Sequence, residues 1–317
     1  MAKQESRYNG VLLVNKPTGI TSHDLVDEIR KIIRQKKVGH TGTLDQRASG
    51  LMVICLGNAT KIAQFISDYG KSYIAEICLG QRSRTFDGEG VYTDQQPRDI
   101  PYLDDARIDK LLEEFVGTTT QTVPVYSAVR VNGQRLYNYA RRGEDVELPD
   151  REIHIDEIKL IKYEKPYLTI DVTCSKGTYI RSLANDIGQK LGCGAYLSNL
   201  TRSKIGKLSL ADSLDLEMIA EKHQTDKLEK SFLKYEQLFQ LNGFTVNDDF
   251  VKGVFNGKQV KKGHIKTLDG DFESGDQIAL RDSKGTMLAI GTAEINSEDF
   301  DPQMEPCKLF NYIRVLN

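Results

Sequence analysis

The spacing of apolar residues changes from one stretch of this chain to the next, and each spacing predicts an element. The run VLLV at 11–14 is short and continuous, the pattern of a buried strand. A turn-rich segment, Asn15-Lys16-Pro17-Thr18-Gly19, ends it. Thr21 and Asp24 have capping-box spacing, and Leu25, Val26, Ile29, Ile32 and Ile33 then fall on one helical face. LMVICLG at 51–57 reads as a second buried strand. Asn58 is placed to cap a helix with the stripe Ala59, Ile62, Ala63 and Ile66, and Gly70 to stop it. In 72–79 the period falls to two, so Tyr73, Ala75, Ile77 and Leu79 face one way, and 167–174 alternates likewise. The helical period returns with Ile180, Leu183, Ala184, Ile187 and Leu191, up to Gly192. Arg181 lies off that stripe near the helix start, free to face a cleft.

Residues 208–240 read as largely helical and acidic. Beyond about 244 come short β-like pieces, QIALRD, MLAIGTAEI and FNYIRVLN, separated by turn formers, which predict a small β-rich domain. A boundary near 240–245 follows, and a length of 317 residues suits two domains.

Composition narrows the class. An apolar content of 39% and a charged content of 28% are those of an ordinary globular protein. No apolar run approaches the roughly 18 residues that span a bilayer, and the polar start MAKQESRYNG lacks a signal core, so a cytoplasmic location is expected. The five cysteines, Cys55, Cys78, Cys174, Cys193 and Cys307, are scattered and never spaced as CxxC, which argues against disulfides and structural zinc. None of the five histidines forms an HxxxH pair, so no metal site is expected.

A net charge of −2 announces no polyanion partner, but the charge is segregated. RKIIRQKK (30–37), RVNGQRLYNYARR (130–142) and TRSKIGK (201–207) carry basic residues and no acid, and the second interleaves two tyrosines. Each alone reads as a solvated face; together they suit a phosphate backbone.

The stretch VGHTGTLDQRASG (38–50) suits neither a helix interior nor a strand. It lacks the Gly-Lys-Ser/Thr ending of a phosphate loop, GxGxxG is absent, and no Ser/His/Asp order or GxSxG elbow appears elsewhere. What remains is a lone carboxylate, Asp45, in a loop whose glycines allow close approach of a large ligand. Such an aspartate is by default a turn former or a cap. By the same default Tyr73 is a core tyrosine, Arg181 a surface ion-pair partner and His40 a loop hydrogen-bonder.

The motifs in combination go further. NKPTGITSHDLV, GHTGTLD followed by ASG, KSYIAEICLG, VPVYSAVRVNGQRLYNYARRG, SKGTYIRSLANDIG and YLSNLTRSKIG resemble, in order, the motifs of the bacterial TruB family of tRNA pseudouridine-55 synthases. The resemblance implies an α+β fold on 1–240, a mixed, largely antiparallel sheet with flanking helices. Residues 120–145 would be an insertion that grips RNA, and 241–317 a PUA-like RNA-binding domain. It implies Asp45 as the catalytic residue, with Tyr73 against the base, Arg181 pairing the aspartate and Leu200 lining the pocket. RNA contacts are implied for His40, which helps displace the uridine, and for Lys16, Lys61, Arg130, Arg135, Arg141, Arg142, Tyr179 and Arg202. The family usually has proline directly after the aspartate. Here Gln46-Arg47 stands there, which relaxes the loop and adds a cation.

Pseudouridine formation breaks the uridine N1–C1′ bond and joins C5 to C1′, with no oxidation and no phosphate spent, so no cofactor is expected. Positive character develops at C1′, as in glycoside cleavage, and a carboxylate there stabilises or attacks it. The expected partner is the T-arm of tRNA, with no guide RNA and no membrane, and the chain acting as a monomer. A second reading is a tRNA-binding or folding module with incidental or lost catalysis. A third, a glycoside hydrolase, lacks an evident acid partner for Asp45.

Overall fold

The computed structural model describes residues 7–92, 98–301 and 307–316, so the polar start at 1–6 lies outside the described residues. Strand β1 (Gly10–Lys16) leads into helix α1 (Ser22–Ile33), where the Thr21 side chain accepts from the Asp24 amide and Asp24 bonds back to Thr21. Next come β2 (Val38–His40), β3 (Ser49–Leu56), the short helix α2 (Ala63–Ser67) and β4 (Lys71–Leu79). Helix α3 (Asp105–Glu113) and β5 (Gly117–Thr122) precede a small lobe made of β6 (Arg130–Val131), β7 (Gln134–Arg135) and α4 (Leu136–Arg142). The long hairpin β8 (Asp150–Glu164) and β9 (Tyr167–Cys174) then leads through α5 (Ile180–Lys190) to β10 (Ala195–Ile205), β11 (Leu208–Ser209) and α6 (Leu216–Gln224).

The main sheet runs β1-β3-β10-β4-β9-β8-β5, with β2 on β3 and β11 on β10. Its pairs are antiparallel apart from β3 with β10. Strict alternation explains how one sheet serves two cores. Leu12 and Val14 pack with α1 and α5, while Val11, Leu13, Leu51 and Val53 pack on the opposite face with Ile62, Ile66, Phe239, Met287 and Ile290. The last two come from a second sheet, built from β12 (Gly243–Val246), β13 (Ile265–Asp269), β14 (Gln277–Arg281), β15 (Met287–Ala293) and β16 (Phe310–Val315). Its order is β13-β12-β14-β15-β16, around a core of Phe244, Phe272, Leu280 and Phe310.

Three expectations need correction. Asn58 caps no helix: residues 57–62 form a 3₁₀ turn, and Leu56 at its N-cap makes no side-chain cap bond. The helix that follows stops at Ser67 with Asp68 as its C-cap, ahead of Gly70. Residues 208–240 hold one nine-residue helix, α6, among strand, 3₁₀ turns and a four-residue helix. Their apolar residues serve different neighbours, since Leu214 and Leu233 bond to strand β1 and Phe239 joins the far core.

Candidate active site

The loop after β2 is held from below by residues that the sequence assigned elsewhere. Arg202 is 1% exposed, facing Tyr73 across β4 and Gly50 across β3. Its guanidinium donates to the carbonyls of Leu51 (2.8 Å), Gly42 (3.1 Å) and Thr43 (3.4 Å). The strands approach so closely that a Cβ at Gly50, whose φ is +108°, would lie 2.4 Å from the Arg202 carbonyl oxygen, which requires glycine. Lys16, fully buried, donates to the carbonyls of Pro17 (2.8 Å), Ile20 (2.7 Å) and Gln46 (3.4 Å). Ser22 takes the Leu44 amide at 2.8 Å and donates to the Leu44 carbonyl at 3.0 Å. Lys16 and Arg202 are therefore corrected as RNA contacts: both cations are spent on main-chain carbonyls inside the protein.

Gln46 supplies what proline would have. Its carbonyl accepts from the Gly19 amide at 2.9 Å, and its side-chain amide donates to the Gly19 carbonyl at 2.9 Å. The loop is thus tied on both sides of Asp45 without a ring. Arg47 lies over Gly88, where an added Cβ would be 2.9 Å from its Nη1.

Above this base opens a cavity of about 480 Å³, lined by Asp45, Tyr73, Tyr179, Arg181, Leu200 and Arg202, with Tyr126, Ser127 and Tyr137 from the lobe. The Asp45 carboxylate is 57% exposed and 3.9 Å from Arg181. Arg181 is the second residue of α5, whose N-cap residue Tyr179 is held by Gln121: its Oε1 accepts from the Tyr179 amide at 2.8 Å and its Nε2 donates to the Tyr179 carbonyl at 3.1 Å. Arg181 is 7% exposed, and its guanidinium has two further partners, the Tyr126 carbonyl at 2.6 Å and Asp87 at 3.7 Å. Asp87 is fixed in turn by the Thr85 hydroxyl and the Glu89 amide. Arg181 therefore bridges two carboxylates, one open and one enclosed. Asp87 and the Tyr126 carbonyl were missed in the sequence. The sequence signal for Asp87 is its place in the acidic, glycine-containing run RTFDGEG (84–90).

Tyr73 is buried with its ring in the cavity wall, and burial pushes its phenol above the ordinary range, with the Arg202 charge beside it opposing. His40 precedes the cavity-lining run and is half-buried. Burial, then Arg202, lowers its imidazole, and its Nδ1 has no hydrogen-bond partner among the described residues. Lys61 is exposed on the 3₁₀ turn. In the lobe, Asn132 and Gly133 take positive φ in the two-residue β6–β7 turn, and Arg130, Arg135 and Arg141 are exposed. None of the three has a carboxylate within 4 Å among the described residues. Arg135 and Arg141 flank the Tyr137 ring. Arg142 departs from its expected role as a phosphate contact, because it pairs with both Glu144 oxygens at 2.7 Å.

Lys71 also lines the cavity and was not singled out. Its Nζ donates to the Ser67 (3.0 Å) and Tyr69 (2.7 Å) carbonyls, and burial, aided by the Arg202 charge, pulls it down to about 8. A lysine lowered by folding binds its proton less tightly in the folded than in the unfolded chain. Between about pH 8 and the ordinary 10.5 the unfolded chain then carries more protons, and stability from this group rises with pH. Urea midpoints at pH 8 and pH 10 should show wild type gaining on Lys71→Met; equal changes in both proteins would contradict the assignment.

Chemically, the site offers an open carboxylate oriented by a cation, beside a phenol wall and an apolar side chain. That suits a flat polar ring whose attached carbon gains positive charge next to Asp45.

The chain matches the family model for the TruB family pseudouridylate synthase N-terminal domain over residues 30–180, for the tRNA pseudouridylate synthase B C-terminal domain over 181–240, and for the PUA domain over 243–301. Its similarity to curated proteins includes tRNA pseudouridine synthase B of Staphylococcus aureus strains bovine RF122 / ET3-1 and MRSA252, each 39% identical over 312 residues, covering 96% of this chain and 100% of the relative. In fold it resembles a chain of the H/ACA RNP bound to a substrate RNA containing 2′-deoxyuridine, with a TM-score of 0.76 at 24% identity, over 97% of this chain and 85% of the other.

Proposed function

The chain belongs to the TruB family of pseudouridylate synthases, and from that premise we propose that it isomerises uridine 55 in the T-loop of tRNA to pseudouridine with Asp45 as its catalytic carboxylate. The observation that carries this reading is the Asp45–Arg181 pair at the mouth of a cavity walled by Tyr73 and Leu200. The reaction conserves atoms within the nucleotide: N1–C1′ breaks, C5–C1′ forms, the C5 proton is lost and N1 gains one. It is balanced without a co-substrate or cofactor. Asp45 faces the carbon that becomes positive, and Arg181 keeps the carboxylate aimed at it. Tyr73 and Leu200 hold the detached base while it turns.

The uridine must leave its stack before C1′ comes within reach, at a cost of about a few kcal/mol. Stacking on Tyr73, and His40 entering the vacated space, offset that cost. Arg130, Arg135, Arg141 and exposed Lys61 take phosphates, with Tyr179 beside the nucleotide. In this reading 120–145 is the gripping insertion on a catalytic unit of residues 1–240, and 241–317 is an RNA-binding unit. The enzyme works as a cytoplasmic monomer on the T-arm without a guide RNA. No helix among the described residues is long and apolar enough to cross a membrane.

The test is release of tritium to water from a transcript labelled at uridine C5. Release of one equivalent per tRNA, lost when position 55 is changed to cytidine, is the expected result. No release, with tRNA still bound, would favour the folding module instead. The phosphate contacts make a separate forecast. Affinity should fall steeply with salt, and replacing Arg130, Arg135 or Arg141 by alanine should each reduce the slope of log K against log salt by about 1. Filter binding at several salt concentrations checks it, and an unchanged slope would remove that residue from the interface.

A further inference from the structure

One cation of the Asp45 loop has no task inside the protein. Lys16, Lys71 and Arg202 are buried and donate to main-chain carbonyls, and Arg181 is shared between Asp45 and Asp87. Arg47 is exposed, and no carboxylate lies within 4 Å of it among the described residues, since Asp45 and Asp87 both pair with Arg181. Its place is nevertheless fixed. The Ala48 amide donates to the Asp45 carbonyl at 3.1 Å, so residues 45–48 form one tight turn. Gln46 clamps that turn to Gly19. Beyond it the Arg47 guanidinium lies over Gly88, where an added Cβ would fall 2.9 Å from Nη1, 3.3 Å from Cζ and 3.6 Å from Nη2. Packing over a glycine uses none of the N–H donors, so the arginine fork is held in position and stays available.

We propose that Arg47 is a phosphate clamp, which grips one of the two phosphodiesters flanking the target uridine and so sets the ribose C1′ over Asp45. The inference rests on the isomerase reading above and deepens it. Both flanking phosphodiesters are attached to the target ribose, and the guanidinium and the carboxylate leave the same four-residue turn. A phosphate held at Arg47 therefore brings its own sugar to Asp45. The guanidinium fork matches two phosphate oxygens with parallel hydrogen bonds. Its charge also offsets the repulsion between the Asp45 carboxylate and the RNA backbone, which is strongest at these two linkages. Arg130, Arg135 and Arg141 sit on the lobe, whereas Arg47 sits on the loop that carries the carboxylate. The Gln46-Arg47 pair stands where the family usually begins with proline. Gln46 restores the rigidity of the ring, and Arg47 adds a grip. Its loss weakens binding and also misplaces C1′, so the rate on bound RNA falls as well.

The experiment measures filter binding of the full chain to T-arm stem-loops over a range of salt concentrations, and the single-turnover rate of tritium release. One stem-loop is unmodified and tritiated at the target C5. Two others carry a neutral methylphosphonate at the linkage 5′ or 3′ of the target uridine. Arg47→Ala is expected to reduce the slope of log K against log salt by about 1 and to slow release from bound RNA by about tenfold. Arg47→Lys keeps the charge without the fork, so it should restore the slope and only part of the rate. Gly88→Ala is tolerated by its backbone, which lies outside the left-handed region, and pushes the guanidinium aside; it should reproduce part of the rate loss with Arg47 present. In wild type one of the two methylphosphonates should weaken binding by about fivefold, and in Arg47→Ala the same one by less than about twofold. An arginine that merely packs two turns together would leave the salt slope unchanged, or give equal methylphosphonate losses in both proteins. Either result would overturn the proposal. Binding is read without turnover, so tritium release by wild type from the unmodified stem-loop shows separately whether the isomerisation stands.

Discussion

Asp45→Asn is expected to stop tritium release, lowering the single-turnover rate by about 10⁴-fold or more, since the loss of a nucleophile in comparable enzymes reaches that size. Asparagine keeps the shape and removes the charge, so in the proposed reaction C1′ loses the carboxylate that stabilises or attacks it. Binding and folding should hardly change. The carboxylate is 57% exposed and 3.9 Å from Arg181, a separation at which a partly exposed pair contributes little to stability. Arg181 retains the Tyr126 carbonyl and Asp87 in the variant, so the site is not left with a stranded cation. Filter binding and a thermal melt beside the kinetic assay separate these effects. Turnover at the wild-type rate would remove Asp45 from the mechanism, and a large fall in melting temperature would mean that its role is structural.

Arg202→Met is expected to produce the largest loss of stability, about 3 kcal/mol, together with a slower enzyme. Two effects oppose each other. Methionine relieves the desolvation of a buried guanidinium, which burial holds below its ordinary pKa. It also strips the carbonyls of Leu51, Gly42 and Thr43 of their donor. Each buried acceptor left unmet costs about 1–3 kcal/mol, and with up to three affected the second effect wins. Gly42 and Thr43 lie three and two residues before Asp45, so the same change loosens the carboxylate proposed to act on C1′. A displacement of about 1 Å is worth roughly 10²-fold in rate. Urea unfolding with an unchanged slope, and single-turnover kinetics on the folded protein, measure the two losses. Wild-type values in both would mean that Ser22 and Gln46 suffice to anchor the loop.

The same residue shows where sequence reading stops. Arg202 stands in a basic run, TRSKIGK, and basic runs are ordinarily solvated. Its burial follows from strand register: it sits opposite Tyr73 on one side and Gly50 on the other, beneath a loop whose Gly42 and Thr43 carbonyls accept from it. Lys16 was equally unreadable, for two of its acceptors, Pro17 and Ile20, belong to the turn that follows it and the third, Gln46, to the loop after β2. The helical reading of 208–240 failed for a related reason. Its apolar residues divide between the two cores on opposite faces of the main sheet, and no single amphipathic face exists for a long helix to bury.

Apolar spacing was enough for β1, α1, β3, β4, β9 and α5, because β1 and β3 bury both faces and read as continuous runs while the others show the period of a buried face, and both patterns are local information. The six motifs in order sufficed for the family. Asp45, Tyr73, Arg181 and Leu200 could be named because the motifs carry them. That they line one cavity was decided by the main sheet, which sets β10 between β3 and β4. So were Asp87 on the far side of Arg181 and the Tyr126 carbonyl. Such contacts join residues tens to more than a hundred positions apart. Their energies depend on distance and burial in the folded chain, and neither quantity is written in the order of the residues.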